Sequence, residues 1–434
     1  MNQFKQFAKT PPLGWNSWDC FGAGVTEQQL RENADYMAKY LKPYGWQYIV
    51  CDIQWYEPCA KDNYYNDFAP LTMDEYGRLL PAENRFPSAA GGKGFGPIAD
   101  YVHSLGLKFG IHILRGVPRQ AVAQNCPVLG SSATCREIAH PFSVCSWNTD
   151  MYGLKDCAGA QDYYNSLLEL YAGWGVDFIK CDDICVTEFR QWDQPYSAAH
   201  EIEMLRRAID RCGREIVLSL SPGPARREVT DHLCRNANMW RMTGDFWDSW
   251  DKLHEMFARC ELWQGVPSEG NWPDCDMLPI GRLAKNGPYD GPQDRMTQFT
   301  REEQYTMMTL WGIFRSPLMI GGNLPDNDEF TLSLLTNPGY MEMHRSSEGA
   351  RLLENREKNG KGAILWTANG RHCKYLAVFN TDDKARKITV DLRQILMPDT
   401  LYRMRELWTG QECQVKNSFR VQVASHGAKL YQID

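Results

Sequence analysis

No stretch of this chain approaches the ~18 consecutive apolar residues that a bilayer-spanning helix needs. No Gly-x-Gly-x-x-Gly or Gly-x-x-x-x-Gly-Lys-Ser/Thr follows a strand-like run, which leaves a nucleotide-binding sheet without support. A serine nucleophile elbow, Gly-x-Ser-x-Gly, is missing, and so are His-Glu-x-x-His and paired Cys-x-x-Cys motifs. Positive charge is not in excess. Lys plus Arg is 47 against 54 for Asp plus Glu, a net charge of −7. That balance argues against nucleic acid or an anionic membrane as the main partner. The opening segment MNQFKQFAKTPPLGWNSW has no apolar core of about 7–15 residues before a small-residue cleavage site. The expectation is therefore a cytoplasmic protein.

Cysteine and aromatics are plentiful. Fifteen cysteines, an odd number in a chain of 434 residues, read mostly as reduced thiols. Cys51 and Cys181 sit within apolar runs, where a thiol behaves as a small hydrophobe. Cys126, Cys135, Cys145 and Cys157 share a loop-like stretch whose spacing does not suit a structural zinc site. The 15 Trp, 20 Tyr and 17 Phe fit either a large aromatic core or a carbohydrate site, where sugar C–H faces stack on rings.

Short apolar runs alternate with helical patterns from Leu13 to Arg345. The clearest runs are YIVCDI (Tyr48–Ile53), KFGIHI (Lys108–Ile113), VDFIKC (Val176–Cys181) and EIVLSL (Glu215–Leu220). They are continuous rather than alternating, as strands buried on both faces should be. Thr26–Leu41, Phe95–Leu105, Gln161–Gly173 and Tyr196–Arg211 show helical spacing. Gly45 and Gly106 stand where helices should stop. With fainter strands at Met239–Arg241, near Asn271–Met277 and at Leu318–Ile320, and the opening LGWNSW, eight strand–helix units emerge. A (β/α)8 TIM barrel with long loops is predicted over 1–345. Over 346–434 the runs shorten, with turn signals such as ENREKNGKG and NTDDKA between them. That texture predicts a C-terminal antiparallel β-sandwich.

Parallel barrels carry their reacting groups at the carboxyl ends of the strands. Those positions include Trp18, Asp19, Asp52, His112, Arg115, Lys180, Asp182, Asp183, Ser221, Arg241, Asp245, Asp274 and Asp276. Two carboxylates with stacking aromatics suit glycoside hydrolysis. Asp52, Asp182 and Asp245 with Lys180 could alternatively hold Mg²⁺ beside a basic lysine. Each residue alone also has a plain structural account: a helix cap for Asp182, an i,i+4 pair for Arg241 and Asp245, a core imidazole for His112.

The combination resembles glycoside hydrolase family 27, the α-galactosidases and α-N-acetylgalactosaminidases. TPPLGWNSWDCFG (Thr10–Gly22) is similar to that family's opening strand and loop, YIVCDIQW to its second strand, and GLKFGIH to its third. GVDFIKCDD resembles its nucleophile strand with Lys-x-Asp, and MWRMTGDFWDSW its acid/base segment. NWPDCDMLPIG is similar to its Trp-Asn-Asp-Pro-Asp-Met-Leu-x-Ile-Gly. The resemblance implies a barrel followed by a β-sandwich and a carbohydrate substrate, without a metal or organic cofactor. An assembly of identical chains stays open. It implies Asp182 as nucleophile, Asp245 as acid/base, and Trp18, Asp52, His112, Lys180, Ser221, Arg241, Asp276 and Met277 as substrate-binding residues. Partial burial and the charge of Asp182 are expected to keep a proton on Asp245 at first. A retaining pair would stand ~5–5.5 Å apart.

Three departures bear on the sugar. Ile53 stands where the family commonly has a second aspartate on strand 2, so a hydroxyl partner is lost. His112 replaces the usual Tyr. Ser221 matches the N-acetylgalactosaminidase version and would leave room beside C2. Arg115 is also unusual and is expected to meet an acidic or branched aglycone. The expected activity is a retaining α-galactosidase-type hydrolase. α-N-Acetylgalactosaminidase comes second and a non-catalytic carbohydrate-binding barrel third. Barrels acting on α-glucosyl or β-L-arabinopyranosyl bonds rank lower.

Overall fold

The computed structural model describes residues 3–187 and 197–434. Eight parallel strands form one curled sheet: β1 (Leu13–Asn16), β2 (Tyr48–Cys51), β3 (Lys108–Leu114), β4 (Phe178–Asp182), β5 (Val217–Leu220), β6 (Met239–Arg241), β7 (Trp272–Asp274) and β8 (Leu318–Ile320). Neighbours follow chain order, and β1 pairs with β8. A parallel bridge from Leu278, just past β7, to Ile320 of β8 closes the ring. A helix follows each strand: α1 (Glu27–Tyr36), α2 (Gly96–Ser104), α3 (Ala158–Gly173), α4 (Ala199–Arg211), α5 (Thr230–Asn236), α6 (Trp250–Trp263), α7 (Arg301–Phe314) and α8 (Pro338–Ser346). Tyr196, where the sequence placed the start of α4, lies outside the described residues.

Local chemistry sets the boundaries. Thr26 and Gln29 form a capping box on α1, and Thr300 and Glu303 form one on α7. Gly106 ends α2 at φ +70°. Its N–H donates to the carbonyl of His103 and that of Leu107 to Val102, the 5→2 and 6→1 bonds of a Schellman stop. Gly45 takes φ +101° before β2.

Strand parity decides what the barrel holds. Successive side chains on a strand point to opposite faces. Ile49, Cys51, Ile179, Cys181, Leu218, Leu220 and Trp240 join the large core under the helices. Tyr48, Val50, Phe178, Val217, Met239, Trp272 and Met319 fill the interior. One more inward step along each strand gives Asp52, Lys180 and Arg241 above this apolar floor. All fifteen cysteines are free thiols. Cys126, Cys135 and Cys145 are buried and Cys157 is exposed.

The C-terminal sandwich contains β9 (Glu348–Asn355), β10 (Ala363–Asn369), β11 (Lys374–Asn380), β12 (Arg386–Asp391), β13 (Tyr402–Glu406), β14 (Glu412–Val415), β15 (Ser418–Val423) and β16 (Ala428–Ile433). Six of them form an antiparallel sheet in the order β9-β10-β11-β16-β13-β14, and β12 pairs with β15. Leu365, Leu376 and Val378 face β12 and β15, while Ile364, Trp366, Ala377 and Phe379 join the barrel's core. Phe379 meets Phe257 of α6 at 4.9 Å between ring centroids, and the Trp408 indole N–H donates to Thr309 of α7 at 2.9 Å.

Candidate active site

A cavity of about 400 Å³ opens at the carboxyl ends of the barrel strands. Among its lining residues are Trp18, Asp52, Lys180, Asp182, Arg241, Asp245, Asp276 and Met277. Lys180 and Asp182 both belong to β4, two residues apart and so on one face. The Lys180 ammonium bonds Asp52 Oδ2 at 2.9 Å, and Asn16 Nδ2 donates to the same oxygen at 2.6 Å. Burial alone would raise the Asp52 carboxyl; Lys180, His112 and Asn16 outweigh it and hold the group below its usual range. Lys180 is in turn drawn upward. Burial opposes its charge, but the carboxylates of Asp52 and Asp182 prevail.

Asp182 is the most strongly ionised carboxylate facing the cavity. Burial acts to raise it. The hydrogen bond and charge of His112, the Lys180 ammonium and the Asp183 backbone N–H together push it far below the carboxylate range. His112 Nε2 is 3.1 Å from Asp182 Oδ2, and the Asp183 N–H donates to Oδ1 at 2.9 Å. Asp183 itself takes φ +52°, in the left-handed region.

Across the cavity the Arg241 guanidinium is shared. Its Nη2 lies 2.8 Å from Asp245 Oδ1 and 3.1 Å from Asp276 Oδ2. Asp276 also accepts the Phe246 N–H at 2.9 Å. The Asp245 side chain is 58% exposed and held by Arg241, in place of the partial burial expected of it. Aromatic rings complete the walls. Trp18 stacks on Tyr65 with centroids 5.7 Å apart, Tyr65 meets Trp147 at 5.6 Å, and Trp247 meets Tyr289 at 5.1 Å. An ionised carboxylate held at one side, a solvent-facing carboxyl at the other and ring-lined walls can together displace a leaving group from a sugar carbon and protonate it. Among the described residues no cluster of three or more His, Cys, Asp or Glu is placed to hold a metal ion.

Residues 147–344 match the family model for Alpha galactosidase A, and residues 361–433 match the Alpha galactosidase C-terminal beta sandwich domain. A family 27 β-L-arabinopyranosidase from Geobacillus stearothermophilus has a structure that superimposes with a TM-score of 0.95 and 52% identity, covering 99% of this chain and 98% of that one. The chain belongs to glycoside hydrolase family 27. A variant of the same Geobacillus enzyme, in complex with arabinose, gives a TM-score of 0.95 at 51% identity over 100% of this chain and 99% of that chain. A Bacillus halodurans structure provisionally assigned as an α-N-acetylgalactosaminidase is 50% identical with a TM-score of 0.86, covering 98% of this chain and 97% of that one. The α-galactosidase of Coffea arabica is 27% identical over 433 residues, 97% of this chain and 93% of its own. This family 27 protein is a retaining α-glycoside hydrolase whose substrate is a carbohydrate.

Two expected substrate contacts fall elsewhere. Ser221 is fully buried and does not line the cavity. It laces two strand ends together: its N–H donates to the Cys181 carbonyl at 2.9 Å, and its own carbonyl accepts the N–H groups of Ile184 and Cys185. Pro222 and Gly223 reach the cavity instead, so room beside C2 cannot be argued from Ser221. His112 is likewise fully buried; it stands behind the nucleophile position rather than against substrate.

Arg115 also departs from its expected place, since it is 1% exposed and cannot meet an aglycone. Its guanidinium bonds Asp183 Oδ2 at 3.0 Å, Glu201 Oε1 at 2.9 Å and Ser143 Oγ at 2.8 Å, fastening the turn after Asp182. Asp183 is pushed up to about 7, first by burial and then by Asp182 and Glu201, against the pull of Arg115. Removing the cation would leave two buried carboxyls without a cationic partner, Glu201 keeping the Tyr164 hydroxyl at 2.6 Å. Arg115→Met is therefore expected to destabilise the fold by about 3–5 kcal/mol. A thermal unfolding midpoint within a degree or so of wild type would show that this ion cluster is dispensable.

Sequence reasoning missed Tyr65, Trp147, Trp247 and Tyr289 as lining residues, whereas Asp19, at the carboxyl end of the first strand, does line the cavity. Tyr65 and Trp147 come from the long segments after β2 and β3. The one available signal was the aromatic content of those segments.

Proposed function

We propose that this glycosidase releases terminal β-L-arabinopyranosyl residues and takes α-D-galactosides more slowly. The observation that carries the reading is Ile53. It is 2% exposed, lines the cavity beside Asp52 and presents only hydrocarbon. β-L-Arabinopyranose has the ring configuration and anomeric orientation of α-D-galactopyranose and differs by lacking the hydroxymethyl group. A pocket short of one hydroxyl partner suits the sugar short of one hydroxyl, because an unpaired polar group in a closed site is costly. The similarity to the Geobacillus enzyme supports the same choice.

In this reading the Asp182 carboxylate attacks the anomeric carbon as the bond to the leaving oxygen breaks, and Asp245 gives that oxygen its proton. Asp245 then takes a proton from water, which displaces Asp182 and restores both groups with the anomeric configuration retained. Lys180, Asp52 and Arg241 hold the ring's hydroxyls, Asp276 and Met277 close the pocket, and Trp18 packs on the ring's face. The reading includes a reducing, cytoplasmic setting, supported by fifteen cysteines that all stand as free thiols.

The test is a panel of p-nitrophenyl glycosides: β-L-arabinopyranoside, α-D-galactoside, α-N-acetylgalactosaminide and α-D-glucoside. Proton NMR of the first-formed sugar accompanies it. Fastest turnover of the arabinoside with retained configuration is expected. A galactoside preferred over the arabinoside would overturn the sugar assignment, and an inverted product would overturn the double displacement.

A further inference from the structure

His112 touches the nucleophile and has no task in the reaction above. It sits on β3, paired across the sheet with Lys180 of β4, and is fully buried. Lys180 bonds Asp52, whereas the His112 imidazole reaches Asp182, with Nε2 3.1 Å from Oδ2. An attacking carboxylate is ionised and offers only lone pairs, so Nε2–H is the donor. The other ring nitrogen, Nδ1, has no hydrogen-bond partner among the described residues. An imidazole kept for packing alone is ordinarily satisfied at both nitrogens; this one is tied only to the nucleophile. Its strand end is fixed too, since the Trp55 indole N–H donates to the His112 carbonyl at 2.7 Å. Oδ1 of the same carboxylate accepts the Asp183 N–H at 2.9 Å, so each oxygen of Asp182 meets a donor set in the barrel wall.

We propose that His112 is a positioning residue that acts through Asp182: its Nε2–H holds the carboxylate and speeds the second step, in which that carboxylate is released. The inference rests on the double displacement read above and adds a role that neither the resemblance nor that reaction assigns. The direction follows from where charge goes. In the first step an electron pair of Asp182 forms the bond to the anomeric carbon, the bond to the leaving oxygen breaks, and the charge on Asp182 disappears. The hydrogen bond from His112 is strongest before that step and weakens through it, so it gives no acceleration there. In the second step the oxygen of water bonds the anomeric carbon and Asp245 takes the water's proton. The pair of the breaking ester bond returns to Asp182. Charge now grows on the carboxylate in the transition state, and the bond from His112 tightens as it grows. His112 keeps its proton throughout. The resting enzyme agrees with this direction: burial opposes the charge of Asp182, and the His112 hydrogen bond leads the influences that overcome it.

The probe is the 2,4-dinitrophenyl glycoside of the sugar that wild type prefers, expected to be β-L-arabinopyranose. Its leaving group departs so readily that the second step limits turnover. His112→Phe keeps a flat ring and removes the donor, and His112→Gln keeps an N–H at about the reach of Nε2. The Phe variant is expected to lose about 10–30-fold in kcat and as much in KM, so that kcat/KM, which reports the first step, stays within about threefold of wild type. A stoichiometric burst of dinitrophenolate should precede its slow steady state as the glycosyl-enzyme accumulates. The Gln variant should stay within about threefold of wild type in kcat. Should the Phe variant not fold, His112→Leu gives the same comparison. A donor-less variant with wild-type kcat, one whose kcat/KM falls as far as kcat at unchanged KM, or a Gln variant as slow as the Phe variant at an unchanged thermal midpoint would overturn the role of His112 alone. An inverted product, or wild type inert toward every pyranoside of the panel, would overturn the double displacement and this inference with it.

Discussion

Asp182→Asn is expected to lower kcat on the arabinoside by at least about 10⁴-fold, some 5–6 kcal/mol of barrier, with the fold and sugar affinity largely kept. The structure gives the reason in two parts. First, the carboxylate is made a ready nucleophile by its surroundings: His112, Lys180 and the Asp183 N–H stabilise its charge so strongly that it stays ionised at any working pH. An acidic limb in the pH profile must then come from another group. Second, the amide of Asn keeps the shape but cannot form the ester with the anomeric carbon. Smaller substitution provides the control. Asp182→Gly leaves a gap that azide can enter from the same face, and the product should be a glycosyl azide of inverted configuration. Wild-type turnover in the Asn variant, or no azide product from the Gly variant, would remove Asp182 from the nucleophile's place.

Much of this is legible in the sequence, and the reasons are physical. Strands β2 and β4 are buried on both faces, so their apolar runs stand out. Once strands are placed, parity alone sends Asp52, Lys180 and Asp182 inward. The sandwich run at β10 reads as continuous apolar residues because its sheet is covered by β12 and β15 on one side and the barrel on the other. Strand β9 escaped detection because EGARLLEN pairs only with β10 at the edge of its sheet and buries little, leaving no alternation to see. The failures at the site share a cause too. Ser221, His112 and Arg115 were placed by nearness to strand ends, but whether a side chain reaches the cavity or turns into the wall depends on backbone turns that periodicity does not encode. Arg115 shows this best: its apparent freedom after β3 vanishes once Asp183, Ser143 and Glu201 converge on it from three separate segments. Tyr65, Trp147 and Tyr289 arrive from loops whose path only the fold defines.

Ile53→Asp should turn the preference from the arabinoside toward the galactoside, changing the ratio of the two kcat/KM values by about 10²-fold or more. Two effects add in that direction. The carboxylate offers the hydroxymethyl oxygen an acceptor, and loss of the sec-butyl group makes space for the extra carbon. Ile53→Ala separates them. It supplies space without a partner and should gain only the ~10-fold that a methylene-sized fit is worth. The new carboxylate would be desolvated, but the Lys180 ammonium already bonds Asp52 one residue away at 2.9 Å and can share its charge. Asp182 and Asp245 are untouched by the exchange, so kcat on the better substrate should remain within an order of magnitude of wild type. Equal losses on both sugars would mean that Ile53 is simply part of the wall and that the choice between pentose and hexose is made elsewhere in the cavity. A selective gain for the galactoside in Asp, exceeding that in Ala, would assign the discrimination to a single hydroxyl contact present in one sugar and absent from the other.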